Sequence, residues 1–362
     1  MTTTTGSLEV AAIVAGVSQE TIYDERFRRG LYDERSAVHV LTAELAAALG
    51  ALVRADRCTP PDARLSLLDW GYGTGRITND IAIDYPHIPY HDQRVTTFDR
   101  DLLIVAFDVS SVGLHQGAAT LRRHGFAGAP MTTAGGVMGE LTRTENGRTV
   151  TVRFVHGNEK AEPAATELLL KEAGGPFSAT VSWYSALGHI YGEKARRAAL
   201  EVLGHVTQPR GELVLSVSSL GDLVEAQAEW WDRKQRGDLK GSEVEAAPGD
   251  IEVPGDVVYQ TELGQQNYYH VFGPELTDLM QHTRTADGQR VRLQGIRGLD
   301  DEFESKEAEL ANYDRVRALN ARCLRAGWAE ESYRALHTVA AIRAFTDVLP
   351  GDPDDQLVGV VP

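Results

Sequence analysis

The chain has 362 residues, with 36 lysines and arginines against 52 aspartates and glutamates, a formal net charge of −16. Such a balance repels nucleic-acid phosphates and anionic membranes unless basic residues cluster, and the longest basic runs are pairs such as Arg28-Arg29. Two cysteines do not make a disulfide or metal framework, and no stretch approaches ~18 consecutive apolar residues. We therefore expect a cytoplasmic protein that acts on a small molecule.

The first predicted element is a helical region from Gln19 to Ala55. It opens with a repeated pattern, YDER at 23–26 and again at 32–35, followed by an apolar stripe at helical spacing. Two interpretations of the repeat remain open. It forms either solvated, internally paired helix turns or a lid whose aromatic and arginine residues cover a ligand.

The most informative stretch is LSLLDWGYGTGR, residues 65–76, which reads as a buried strand that ends in a glycine turn and enters a helix. Glycines at 71, 73 and 75 let the backbone approach a ligand, and the following helix N-terminus presents N–H groups. Arg76 stands where the dinucleotide fingerprint has its third glycine.

Strands and helices alternate after this turn. The apolar run at 102–107 ends at Asp108, as in a strand buried on both faces of a parallel sheet. Further strands are predicted at 149–155, at 177–185 and, after a turn at 209–211, at 212–217, with helices at 110–124 and 193–206. This alternation predicts a doubly wound α/β sheet with all strand carboxyl ends at one edge.

The alternation of strand and helix patterns stops between Gly221 and about Asp256, and we interpret this stretch as an excursion or loop. A short helix is then predicted at 274–281, a strand at 290–296, a helix over Phe303–Arg325 and a last strand at 337–344. The predicted organisation is a helical segment or lid at 1–60, a core at 61–220, an excursion with acceptor-pocket elements at 221–300, a helix and final strand at 301–350, and a tail at 351–362.

Taken in order, these pieces resemble the class I S-adenosylmethionine-dependent methyltransferases over roughly Leu31 to Phe345. LLDWGYGTGR resembles the first motif of the family, LLIVAFDVSSVGLHQGAATLRRHGF its second strand and helix, and VRFVHGNEKAEP its third strand. FSATVSWYSALGHI and ALEVLGHVTQPRGELVLSVSS resemble the fourth and fifth strands. The resemblance implies a seven-stranded, mostly parallel Rossmann-like sheet with an N-terminal helical lid, helical insertions near the C-terminus and S-adenosyl-L-methionine as cofactor.

The resemblance also implies cofactor contacts. Asp69 faces the methionine ammonium group, Asp108 accepts hydrogen bonds from the ribose hydroxyls, and Asn158 faces the adenine amino group. The full implied cofactor set is Asp69, Gly71, Tyr72, Gly73, Gly75, Asp108, Val109, Asn158, Ser182 and Trp183. Asp108 lies farther from the glycines than the ~20 residues typical of nucleotide folds, so the intervening stretch is an insertion and Asp99 is a rival for the ribose.

Candidate catalytic residues follow the fourth strand and the excursion. His189 is the first candidate for a general base and His270 the second, with Tyr184 beside the reacting groups. A structural role for His189, capping the helix at 193, is equally open. The substrate-binding candidates are Tyr32, Ser185, Tyr268 and Tyr269. No metal is expected, because His87 and His91 lack a supporting set of ligands.

The predicted activity is methyl transfer to oxygen, nitrogen or carbon of a small metabolite. GDVVYQTELGQQNYYHVFGPEL also faintly resembles methyltransferases that modify transfer RNA wobble uridines, although the acidic charge disfavours RNA. Two further functions stay open, a nicotinamide-dependent oxidoreductase and a cofactor-binding protein without activity. The N-terminal and Phe303–Arg325 helices are candidates for lids or for the faces of a homodimer.

Overall fold

A computed structural model describes residues 19–30, 38–89, 95–132, 136–157, 162–217, 250–253, 256–260, 266–270, 279–280, 282–285, 287–288, 291–297 and 341–346. The helices within these ranges are α1 (Gln19–Arg28), α2 (Val38–Cys58), α3 (Arg76–Asp84), α4 (Ser111–Arg123), α5 (Glu162–Ala173) and α6 (Glu193–Val206), with a 3₁₀ turn at Ala186–His189. No helix in the described part of the chain is long and apolar enough to cross a membrane.

The strands are named in chain order. They are β1 (Leu65–Trp70), β2 (His87–Pro89), β3 (Val95–Thr97), β4 (Leu102–Asp108), β5 (Gly136–Glu145), β6 (Arg148–His156), β7 (Phe177–Ser182), β8 (Thr207–Ser216), β9 (Asp250–Val253), β10 (Asp256–Gln260), β11 (Gln266–His270), β12 (Val291–Arg297) and β13 (Ala341–Thr346).

The main sheet has the order β12-β13-β8-β7-β1-β4-β6-β5. Its five central strands run parallel, β13 runs antiparallel between β8 and β12, and β5 pairs antiparallel with β6 at the far edge. The chain moves outward from β1 through β4 to β6 and then returns to β7 on the other side of β1. The carboxyl end of β1 is therefore the point where the strand order reverses, which is where open α/β sheets bind ligands.

The predicted doubly wound, mostly parallel α/β sheet is confirmed, but it has eight strands among the described residues rather than seven. The additional strand is β5, which forms a hairpin with β6. The insertion before β4 contains the β2–β3 hairpin, and part of the excursion forms a separate sheet of order β11-β10-β9.

Some predicted boundaries differ in the structure. The first helical region contains two separate helices, α1 and α2. The predicted turn at 209–211 lies inside β8, where Arg210 has a φ of 64° and the register with β7 shifts. The helix predicted at 303–325, the stretch at 221–249 and the tail lie outside the described residues.

Two apolar clusters cover the two faces of the sheet, because successive strand residues point to opposite sides. On β1, Leu65 and Leu67 join the cluster beneath α2, α3 and α4, whereas Leu68 and Trp70 join the cluster beneath α5 and α6. The same alternation places Asp69 on the face covered by α2, α3 and α4.

Close packing under the glycine turn yields a test. A Cβ on Gly117 in α4 would lie 2.4 Å from the hydroxyl oxygen of buried Tyr72. We expect Gly117→Ala to lower the free energy of unfolding by roughly 1–3 kcal/mol through overpacking, although alanine favours a helix over glycine by about 1 kcal/mol. Urea unfolding measures the change, and Ala119→Gly, at an exposed position of the same helix, reports the propensity term alone. A more stable Gly117→Ala protein would contradict this packing.

Candidate cofactor and active site

The glycine turn at the end of β1 is hydrogen-bonded to β4. The N–H groups of Gly71 and Tyr72 donate to the carbonyl oxygen of Phe107 at 2.9 and 3.1 Å. Gly71, Gly73 and Gly75 have φ values of 84°, 56° and 73°, a region that side chains disfavour. A Cβ on Gly75 would also lie 2.2 Å from the Tyr72 ring, so glycine is required there for space as well as for conformation.

Asp108, at the carboxyl end of β4, closes the turn from the other side. Its Oδ2 accepts a hydrogen bond from the Gly73 N–H at 2.6 Å, and its Oδ1 accepts one from the Ser110 N–H at 2.6 Å. A carboxylate offers about four acceptor sites, so both oxygens keep capacity for a ligand. Asp108 is thus held rigidly while one side of it lines a cleft.

Asp69, on the neighbouring strand, is buried and only half satisfied. Its Oδ2 accepts a hydrogen bond from the Thr78 hydroxyl, whereas its Oδ1 has no hydrogen-bond partner within the described residues. A buried carboxylate oxygen without a donor is costly, because the charged group has lost its water. Asp69 lines the same cleft as Asp108, and its free oxygen is suited to a donor from a ligand.

The cleft lies at the carboxyl edge of β1, β4 and β7 and encloses about 970 Å³, including the space at its open mouth. Trp183, which follows β7, contributes a wall of the cleft and has an indole N–H without a described acceptor. The described residues that line the cleft are Gln19, Tyr23, Phe27, Glu44, Asp69, Gly71, Tyr72, Gly73, Thr74, Arg76, Ile77, Asp108, Val109, Trp183, Tyr184, Ala186, His189 and Ile190.

Helix α1 forms the roof of the cleft. Gln19, Tyr23 and Phe27 are spaced four residues apart, so they lie on one face of the helix, and all three line the cleft. A Cβ on Gly73 would lie 3.4 Å from the Phe27 ring, which shows that the helix packs directly on the glycine turn.

The wall after β7 is a strained corner. Tyr184 and Ser185 both have left-handed backbone conformations, with φ values of 51° and 59°. Such residues cluster at functional sites because surrounding contacts must hold them. The Ser185 N–H donates to the Ser216 carbonyl oxygen at 2.9 Å, and the Tyr184 N–H donates to Glu44 Oε1 at 3.4 Å.

His189 ends the 3₁₀ turn that follows this corner and lines the cleft. Its imidazole meets the Tyr23 ring edge to face, with centroids 5.3 Å apart. Behind the turn, the carbonyl oxygen of His270 would be only 2.7 Å from a Cβ on Gly188, so β11 supports the wall.

The cleft carries an excess of negative charge. Among its described lining residues, Glu44, Asp69 and Asp108 are acidic, and Arg76 is the one arginine or lysine. The guanidinium group of Arg76 lies 5.3 Å from the centre of the Tyr184 ring, a cation–π distance.

Burial raises the pKa of all three carboxyl groups. Loss of water raises the pKa of Asp69 to about 7, with further contributions from the charges of Asp108 and Glu44. Loss of water also raises the pKa of Asp108 to about 6, against the hydrogen bonds from Gly73 and Ser110. The pKa of Glu44 is raised for the same reason. A cationic ligand would stabilise the ionised form of each group.

The structure brings together most of the predicted cofactor residues. The seven that line the cleft are Asp69, Gly71, Tyr72, Gly73, Asp108, Val109 and Trp183. Gly75 caps α3 next to the cleft, and Ser182 is buried in β7. Asn158 lies outside the described residues. The rival Asp99 precedes β4, at the opposite edge of the sheet from the cleft, where it is exposed and pairs with Arg148.

The predicted catalytic and substrate residues separate into three groups. His189 and Tyr184 line the cleft, whereas His270 is buried behind the 3₁₀ turn and is not among the described lining residues. Ser185 is buried in the corner. Tyr32 and the side chains of Tyr268 and Tyr269 lie outside the described part of the structure.

The sequence did not predict that Glu44 and Gln19 line the cleft, or that His156 lies beside it. Glu44 is an acidic residue inside the apolar stripe of α2, and that position was the available signal for a buried carboxylate. His156 ends β6 at the same sheet edge as Asp108, and its Nε2 lies 2.9 Å from the Val109 carbonyl oxygen. Strand alternation also places it on the face of Asp69.

No protein-family model and no curated protein matches the chain. Solved structures to which it is similar include an S-adenosylmethionine-dependent methyltransferase from Clostridium acetobutylicum, with 9% identity, 90% of this chain and 95% of that chain covered, and a TM-score of 0.42. Another is the CcbJ methyltransferase from Streptomyces caelestis, with 15% identity, coverage of 80% and 96%, and a TM-score of 0.41.

A third is CalS10 with bound S-adenosylmethionine, an amino pentose methyltransferase from Micromonospora echinaspora, with 13% identity, coverage of 88% and 96%, and a TM-score of 0.39. TM-scores and identities this low do not assign a function to the chain.

The raised pKa of Asp69 predicts a stability change. The folded state holds the Asp69 proton up to about pH 7 and the unfolded state only to about 3.8, so this carboxyl group costs stability as pH rises through that window. We expect ligand-free Asp69→Asn to melt higher than the native chain at pH 8, by roughly 5 °C, and to match it near pH 4. Differential scanning calorimetry at both pH values measures this. Asp62→Asn, at an exposed site, should show no such difference, and equal shifts in both variants would contradict the prediction.

Proposed function

We propose that the protein is an S-adenosyl-L-methionine-dependent methyltransferase that acts on a small-molecule acceptor. The observation that carries the proposal is the charge of the cleft, in which three buried carboxyl groups oppose one arginine at the strand-order reversal of the sheet. The pyrophosphate of a nicotinamide dinucleotide would be repelled there. The Gly73 N–H, which could have bound a phosphate, instead donates to Asp108.

The unsatisfied polar atoms fit the methionine end of this cofactor. Asp69 Oδ1 is a buried acceptor suited to the ammonium group, and the Trp183 indole N–H is a buried donor suited to a carboxylate. Asp108 retains acceptor capacity on both oxygens, which suits the two hydroxyl groups of a ribose. These three residues lie at, or directly after, the carboxyl ends of adjacent strands and on one face of the sheet.

The cofactor supplies an activated methyl group on its sulfonium, which a nucleophilic atom of the acceptor displaces in line. The chain's own residues must align the acceptor, exclude water and remove a proton where needed. Phe27 and Tyr23 of α1 cover the cleft, and we therefore assign α1 as the lid. His189 is our candidate for the proton acceptor, with the Tyr23 ring holding the plane of its imidazole.

Aromatic walls and the concave shape of the cleft support a small metabolite as the acceptor. The net charge of −16 also favours a small molecule over RNA.

Calorimetric titration tests the cofactor. We expect S-adenosylmethionine and S-adenosylhomocysteine to bind with one site per chain, and NAD, NADH and NADP to show no binding. Tight binding of a nicotinamide dinucleotide without binding of S-adenosylmethionine would overturn the proposal. Asp108→Ala should weaken cofactor binding by roughly 1–3 kcal/mol, because a charged hydrogen-bond acceptor is lost. Asp99→Ala, at the opposite edge of the sheet, is the matched control and should bind normally.

Turnover by variants tests His189. With labelled S-adenosylmethionine and an acceptor that the native chain methylates, His189→Asn should lower kcat by about 10²–10⁴ while leaving cofactor affinity unchanged, because only proton removal is lost. His87→Asn, in the exposed β2–β3 hairpin, is the control. A rate near that of the native chain would assign His189 a packing role.

A further inference from the structure

The lid helix α1 is anchored on the N-terminus of α4 by one buried carboxylate. Asp24 Oδ1 accepts a hydrogen bond from the Ser110 hydroxyl at 2.6 Å and a longer one from the Val112 N–H at 3.3 Å. A negative charge is favourable at a helix N-terminus, where N–H groups lack partners within the helix. Asp24 therefore acts on α4 as a cap supplied by another helix.

Ser110 connects this anchor to the cofactor site. Its hydroxyl donates to Asp24 and accepts from the Gly113 N–H at 3.1 Å, while its own N–H donates to Asp108 Oδ1 at 2.6 Å. Ser110 is fully buried, so water does not compete for these bonds. A movement of Asp24 thus reaches Asp108 through a single residue.

Two further polar contacts join α1 to α4 and to the end of β6. The Gln116 side chain donates to the Phe27 carbonyl oxygen at 2.9 Å. Glu20 Oε1 lies 3.5 Å from His156 Nε2, and His156 contacts the Val109 carbonyl oxygen directly after Asp108. The lid is therefore docked along α4 and beside the segment that directly follows Asp108.

We propose that Asp24 is a positioning residue that couples the docking of α1 over the cleft to the orientation of Asp108. The inference rests on the proposed function, because it takes Asp108 as the ribose-binding carboxylate. By thermodynamic linkage, a ligand held by Asp108 then favours the docked lid to the same extent that the docked lid favours the ligand.

The charges around Asp108 supply a readout that a purely structural contact would not change. Burial has the largest effect on the pKa of Asp108; among the neighbouring charged groups, His156 lowers this pKa and Asp24 raises it. Asp69 also faces Asp108. The acidic groups that raise the pKa of Asp69 are Asp108 and Glu44. Asp24 itself is faced by Arg28 at 3.4 Å. Removal of the Asp24 charge should therefore lower the pKa of Asp108.

The experiment measures binding of S-adenosylhomocysteine from pH 5 to 8.5 by calorimetry, with the full chain and Asp24→Asn. We expect Asp24→Asn to bind about tenfold more weakly at pH 8, because the neutral amide oxygen still accepts from Ser110 but without the additional strength that a charged acceptor gives. We also expect the acid limb of its binding curve to move to lower pH. The matched control is Glu25→Gln, which removes the same charge from the neighbouring residue, whose carboxylate pairs instead with Arg28 and Arg29.

A double-mutant cycle with Ser110→Ala completes the test. Because both changes interrupt one connection, we expect the double variant to bind no more than about twofold more weakly than the weaker single variant. Thermal melting confirms that each variant is folded. Additive losses, an unchanged acid limb in Asp24→Asn, or equal behaviour of Asp24→Asn and Glu25→Gln would overturn the inference. Failure of the native chain to bind S-adenosylhomocysteine at any pH would overturn the proposed function instead.

Discussion

The two hydrogen bonds that Asp108 accepts from the backbone hold the candidate site together. One comes from the glycine turn after β1, and the other comes from Ser110 at the start of α4, so a single carboxylate joins two strand ends to a helix. Hydrogen bonds to a carboxylate are charge-assisted and strong, and the bond from Ser110 is also buried. The conformation of the glycine turn, the start of α4 and the position of α1 on α4 all depend on the Asp108 carboxylate and its hydrogen bond from Ser110.

Three carboxyl groups in a buried cleft are unfavourable without a positive partner. Burial raises the pKa of Asp69 and Asp108 toward neutrality, so the ligand-free protein bears a cost that a cationic ligand would relieve. The ionised Asp69 side chain therefore lowers the stability of the ligand-free protein but favours binding of a cationic ligand. A residue that costs stability in this way is expected where it has been selected for binding.

Residues remote in sequence meet at this edge for a simple reason. Parallel strands with right-handed connections all end at the same side of a sheet, and alternate residues share a face. Asp69, Asp108, His156 and Trp183 satisfy both conditions, although they span more than a hundred positions of the chain. The roof over them comes from α1, which belongs to none of these strand–helix units.

The sequence alone determined the parallel core, the glycine turn and the carboxylate at the end of β4, because buried strands, positive-φ turns and strand-end acids have local patterns. It also identified Trp183, Tyr184 and His189 after the fourth strand. Only the tertiary structure showed that Asp108 lines the cleft and that Asp99 lies away from it, placed Glu44 in the cleft and set His270 behind the wall. Those outcomes depend on which elements pack together, and packing between distant segments leaves no periodic signal in the chain.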